Sequence, residues 1–212
     1  VLVRRAVGAK KALVFDVVNA CAGFLNGIWV LQGLIRSGAI RRGMVVSGEQ
    51  NMPLAWTATR EVRHSLDRQL AALTLGDCGA AVIVDGSPDE AHGFHWLDLV
   101  TGARHDHYCY SQPSARGGGG ILITKARGLQ IVGNRNFPAY LKQALDATGW
   151  DLNDVHHVIP HQVSVRAIRQ GIKAVKRFMG CDLPDVFLCH VDKYANTTTA
   201  SHFLALHDFM LQ

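Results

Sequence analysis

The sequence has no apolar run as long as the roughly 18–20 residues that a membrane span needs. Its opening, VLVRRAVGAKK, also lacks the apolar core of a secretory leader. No two of its cysteines form a CxxC pair; the five stand singly at 21, 78, 109, 181 and 189. That odd, irregular set argues against a disulfide framework or a structural zinc site, and for reduced thiols in a cytoplasmic protein. Charge is sparse: 18% of the 212 residues are charged against 48% hydrophobic, which excludes a highly charged disordered chain. Acidic residues are the scarcer sign, 17 against 22 Lys and Arg. The net +5 and pI near 9.1 call for an acidic partner. Charge alone does not separate nucleic acid from a phosphorylated cofactor or an acidic carrier protein.

What is present alternates between strand-like and helix-like stretches. ALVFDVV (12–18) is short, apolar and β-branched, which predicts a buried strand. AGFLNGIWVLQGLI (22–35) predicts an interior helix, being apolar nearly all round. MVVSGE (44–49) predicts a strand, residues 57–69 a polar stretch, and LAALTLGDCGAAVIVD (70–85) a small-residue turn and a strand. Residues 86–120 are poorly patterned, and 117–120 predict a flexible glycine loop. Helices are expected over 137–148, 162–179 and 197–211, with strands at VHHVIP (155–160) and DVFLCHV (185–191). The alternation predicts an α/β architecture with substantial parallel pairing. Both ends read as cut, so a fragment, or a chain needing a complementary piece, is expected.

Three polar residues share one kind of place. Cys21, His161 and Asn196 each follow an expected strand and open an expected helix. In α/β sheets the carboxyl ends of strands gather ligands and catalytic groups. A helix N-terminus lowers a thiol pKa, and small neighbours (Ala20, Ala22 and Gly23) leave room for an acyl group at Cys21. A His and an Asn set opposite can donate hydrogen bonds to a thioester oxygen as charge develops. Each residue alone has a plainer explanation: a buried thiol, a structural histidine, a helix cap. Three equivalent junctions favour a site.

The local strings carry a family resemblance. NACAGF (19–24) resembles the nucleophile motif of the β-ketoacyl-acyl-carrier-protein synthase III family. IPHQVS (159–164) resembles its histidine motif and YANTTTAS (194–201) its asparagine motif. LGDCGAAVIV (75–84) is similar to the family's glycine-rich strand, and VGNRNF (132–137) to the border of its pantetheine tunnel. The five strings stand in family order with family-like separations, and the resemblance covers most of the chain. The resemblance implies a thiolase-like fold of duplicated αβαβα layers. Residues 1–86 would hold the remainder of the nucleophile half, and 87–212 the half with His and Asn, lacking its last strands.

It also implies a mechanism. Cys21 would take an acyl group from acyl-CoA, a substrate rather than a cofactor. A malonyl-carrier protein would then lose its carboxylate, with His161 and Asn196 stabilising the enolate that attacks the acyl-Cys21. Gly133, Phe137, Ser164 and Arg166 would contact substrate. Arg166, Arg169, Lys173, Lys176 and Arg177 recur at helical spacing, a basic stripe for CoA phosphates or, at its last four members, an acidic carrier protein. That stripe accounts for the basic balance without nucleic acid. A homodimer is implied as well. The chain departs from the family in Ser164, where an Asn is usual. The first strands, with the Trp and Arg that hold the adenine end of CoA, are absent, as is the C-terminal glycine-rich loop. NACAGFLNG, LAALTLG and HQVS are also similar to the acyl-CoA condensing enzymes of bacterial olefin synthesis, so non-decarboxylative head-to-head condensation is an alternative. Acyl transfer to oxygen or nitrogen, or a catalytically silent partner subunit, are others.

His105, His107 and Cys109 alternate and would share one face of a strand, with His92 and His95 near in sequence. No fourth ligand is evident, so no metal is expected. The 117–120 run lacks a following Lys-Ser/Thr and is not a phosphate loop.

Overall fold

A computed structural model describes residues 2–86, 89, 92–183 and 187–211. A short helix α1 (Leu2–Ala6) precedes α2 (Gly23–Arg36), β1 (Arg42–Glu49), α3 (Met52–Glu61) and β2 (Cys78–Asp85). A hairpin, β3 (Cys109–Pro113) and β4 (Gly120–Thr124), leads into the long α4 (Ala126–Thr148) and α5 (Val165–Met179). The chain closes with α6 (Val191–Tyr194) and α7 (Ser201–Met210).

Helix α2 turns one face inward, burying Phe24, Gly27, Ile28 and Leu31 at spacings of three and four while Trp29 stays half exposed. It lies close on β1: a Cβ at Gly27 would come within 2.9 Å of a Val45 methyl, so only glycine lets helix and strand approach so near. Val84 of β2 joins the same core, and Phe203 of α7 stacks on Phe24 with ring centroids 4.2 Å apart. A second core of Ala58, Ala72 and Leu75, with Leu54 and Leu122 against it, joins α3 to the β3–β4 hairpin.

Several sequence expectations change. Residues 12–18 lie outside regular structure and are exposed. Their apolar, β-branched composition suits a strand, but no described strand pairs with them. Both named sheets are two-stranded and antiparallel; parallel pairing is confined to the bridges Leu75–Asn196 and Val158–Phe187. VHHVIP therefore contributes one bridge rather than a strand. In DVFLCHV, residues 185 and 186 lie outside the described residues. Helix α4 starts at Ala126, well ahead of the 137–148 expected, and runs through the buried Pro138. The polar stretch 57–69 opens as the last turns of a helix that begins at Met52 and ends at Glu61. The 117–120 run is a hairpin connection pinned by its own backbone: Gly118 O accepts from Thr57 Oγ1 at 2.9 Å and Arg60 at 2.8 Å.

Candidate active site

Cys21 sits in a 3₁₀ turn, Ala20–Ala22, that runs directly into α2. The first turn of α2 is tied across the molecule, Phe24 N–H donating to Thr199 Oγ1 at 2.7 Å. Desolvation by burial, then the neighbouring Cys109 and Glu49, push the Cys21 thiol up to about 11 against a single opposing backbone hydrogen bond. The expectation that a helix N-terminus would make it acidic is thus overturned. Desolvation of the thiolate outweighs the backbone dipoles, and the thiol is neutral at ordinary pH.

His161 follows the Val158 bridge and precedes α5, whose first turn is capped by Ser164 Oγ accepting from Ala167 N–H at 3.1 Å. Its Nδ1 lies 2.9 Å from Ser201 Oγ, and its ring stacks on His202 at 5.6 Å. Burial first, and His202 second, hold the imidazole down to about 4, so it too is neutral. Gln162 anchors the loop: 2% exposed, it donates to the carbonyls of Pro160 and Leu188 and accepts from His190 N–H.

Asn196 is held by its backbone, donating to Thr74 O at 2.9 Å while its carbonyl accepts from Gly76 N–H at 3.0 Å. A Cβ at Gly76 would stand 2.7 Å from Tyr194 O, which explains the glycine. The Asn196 side-chain oxygen accepts from Thr198 N–H at 3.0 Å, which leaves its amide N–H groups as the free donors. Behind it, Asp208 gathers His190 Nδ1 (2.5 Å), Lys193 Nζ (2.6 Å) and Tyr194 OH (2.6 Å). The Lys193 bond first, then Tyr194, holds the Asp208 carboxyl down to about 2.

Among the described residues, the non-glycine positions with positive φ are Ala20 (40°), Ala195 (61°) and Thr198 (46°). All three flank Cys21 or Asn196. Such backbone costs on the order of 1–3 kcal/mol per residue and persists where surrounding structure enforces it, commonly at functional sites.

Cys21, His161 and Asn196 line one cavity of about 1920 Å³, together with Gly133, Phe137 and Ser164. Two profiles for 3-oxoacyl-(acyl-carrier-protein) synthase III, its main and C-terminal parts, match residues 15–104 and 145–212. The chain belongs to the β-ketoacyl-(acyl-carrier-protein) synthase III family. A family member of that name from Novosphingobium aromaticivorans is 30% identical over 96% of this chain and 61% of its own length. One from Deinococcus deserti is 32% identical over 98% of this chain and 57% of its own length. The chain therefore spans about three fifths of the curated relatives it matches. The synthase III of Thermus thermophilus superposes with a TM-score of 0.75 at 25% identity, over 99% of this chain and 62% of that one. OleA of Xanthomonas campestris superposes at 0.74 with 23% identity, over 99% and 60%, which speaks for the fold alone. The fold is thus the α/β thiolase-like one of the synthase III family.

The remaining expected residues divide. Gly133 and Phe137 face the cavity from α4 beside Gln130 and Asn134, one helical stripe. Arg166 is exposed and lies outside that lining, because it falls on the opposite side of α5 from Ala167, Ile168 and Gly171. Arg169, Lys173 and Arg177 are exposed on α5, whereas Lys176 is half-buried and paired with Asp182 at 3.2 Å. His105 and His107 occupy a 3₁₀ turn with Tyr108 rather than a strand, their rings 5.1 and 4.7 Å from its ring. Sequence reasoning missed Glu49 and Asn51. Both line the cavity where β1 ends; Thr198 Oγ1 donates to Glu49, and Asn51 Nδ2 donates to Gly76 O at 2.8 Å. The strand-end argument used for the other three residues would have found them at the end of MVVSGE. It would not have found His202, which lies in the first turn of α7 and carries no motif.

Proposed function

We propose that this chain is a condensing acyltransferase in which Cys21 carries the acyl group through a thioester. The neutral Cys21 attacks the carbonyl of an acyl-CoA, CoA leaves as its thiol, and an acyl-enzyme remains. A malonyl group on an acyl carrier protein then loses CO₂. The resulting enolate, stabilised by hydrogen-bond donation from the site, attacks the acyl-Cys21 carbonyl and releases a β-ketoacyl thioester and the free thiol. The observation that carries this reading is that Cys21, His161 and Asn196 line one cavity within a chain of this family.

Exposed Arg169, Lys173 and Arg177 on α5 are the proposed docking face for the acidic carrier. A second copy of the chain is the proposed cover for residues 12–18, where Leu13 and Val18 are 85% and 91% exposed. No helix of the described residues is long and apolar enough to cross a membrane. We place the protein in the cytoplasm, where acyl-CoA and carrier proteins are available.

Intact-protein mass spectrometry after exposure to a panel of acyl-CoAs tests the reading. An acyl-sized gain in mass that vanishes in Cys21→Ala supports it, and the preferred adduct reports chain length. A gain that persists in Cys21→Ala, or none from any acyl-CoA with a folded chain, overturns the acyl-CoA-primed reading.

A further inference from the structure

The hydroxyl of Ser201 stands between two partners. It lies 2.9 Å from Thr198 O and 2.9 Å from His161 Nδ1. A hydroxyl has one proton to give. The carbonyl of Thr198 can only accept, so the proton goes there; directed at His161 instead, it would leave two oxygens 2.9 Å apart with no hydrogen between them. Ser201 is 2% exposed, so water has no room to take over either role. Toward His161 the hydroxyl is therefore an acceptor, and Nδ1 must be the donor. His202, stacked on the His161 ring and itself held down by burial, disfavours a second proton on His161.

We propose that Ser201 is a positioning residue that fixes His161 in the tautomer protonated at Nδ1, leaving the Nε2 lone pair as the proton acceptor of the site. The proposal rests on the reading of Cys21 as the acyl acceptor. It supplies what a neutral, buried thiol lacks. As the Cys21 sulfur attacks the thioester carbon, its proton passes to His161 Nε2. The carbon–sulfur bond to CoA breaks, and the departing thiolate takes that proton from Nε2. Acyl-CoA and thiol are thereby converted to acyl-Cys21 and CoA thiol, with His161 unchanged. The division of labour differs from the one the sequence suggests. Asn196, its side-chain oxygen occupied by Thr198 N–H, offers the N–H to a developing oxyanion, and His161 offers a lone pair.

Long-range ¹H–¹⁵N spectra of the chain labelled in histidine read the tautomer directly, with His161→Ala identifying the His161 signals. The expected result is the Nδ1-protonated form at neutral pH. In Ser201→Ala, His161 moves to the Nε2-protonated form, and Cys21 acylation slows by about 10–100-fold while the acyl-CoA concentration for half-maximal rate changes little. Ser201→Thr, which keeps a hydroxyl, recovers most of the tautomer preference. A wild-type His161 protonated at Nε2, or an unchanged tautomer in Ser201→Ala, overturns the proposal. The wild-type spectrum gives its answer whether or not the variants fold. If the wild-type chain takes no acyl group, the nucleophile reading fails instead, and the tautomer still reports on Ser201.

Discussion

The approach to Cys21 and the seat of His161 and Asn196 are built differently. Residues 11–20, which lead to the proposed nucleophile, are exposed throughout and join no described strand. The turn at Cys21 is held by Ala22 N–H on Asn19 O at 2.9 Å and by the Phe24–Thr199 bond next to it. Asn196 and His161 instead sit among Thr74, Gly76, Asn51, Ser201, Gln162 and the Asp208 cluster, tied to several of them by hydrogen bonds. Groups that orient protons and oxyanions must be preorganised, because a misdirected dipole in a dry site is worth little. A nucleophile needs chiefly a free sulfur and room around it.

That contrast can be sharpened first at its reacting atom. Cys21→Ala should lower acylation by about a thousand-fold or more, as loss of a covalent nucleophile does, with little change in Tm, because its side chain anchors nothing. Calorimetry beside the mass measurement separates the two effects.

Acidification acts on the other side. His161 is held at about 4, below the ordinary 6.5, so the folded state binds fewer protons than the unfolded one between those values. Stability is therefore present in full above pH 6.5 and is lost as pH falls through 6.5 toward 4, by about 3 kcal/mol. Denaturant melts at pH 7 and pH 4.5 should show the loss, and His161→Gln should remove most of it. Cys21, raised to about 11, works the opposite limb, its contribution falling as pH rises from 9 toward 11.

Thr199→Val strands the buried Phe24 N–H, and should cost about 1–3 kcal/mol in chemical denaturation. The same change should slow acylation, since it frees the nucleophile's turn from the Asn196 segment. A Thr199→Val chain of wild-type stability would show that the two regions are held independently. The smallest effect is expected at Ala195, whose φ of 61° and ψ of −168° suit glycine. Ala195→Gly should raise stability by about 1 kcal/mol, measured as a small increase in Tm.

How much of this could be read in the sequence follows the same divide. Helices α2 and α5 and strands β1 and β2 were legible because their apolar residues recur with one period and their ends are marked, as at Gly180. The strand at 12–18 was misjudged because composition reports what a segment suits, while pairing depends on a neighbour. The hairpin at 109–124 was hidden because an all-exposed β3 has no apolar alternation. The three site residues stood out by motif and by strand-end position. Glu49 and Asn51 stand at a strand end but carry no motif, and Ser201 and His202 take their roles from contacts with His161, a segment about 40 residues away. The thiol's high pKa was also out of reach, since burial is a property of the fold.

If Cys21 carries the acyl group while Asn196 serves the later oxyanion, the two steps separate. The most direct test loads Asn196→Ala with an acyl-CoA, confirms the Cys21 adduct by mass, then adds malonyl-carrier protein and follows loss of the adduct and formation of β-ketoacyl product. The adduct should form near the wild-type rate and condensation should slow by about a hundred-fold or more. An acyl-loaded Asn196→Ala that condenses as fast as the wild-type chain would contradict it.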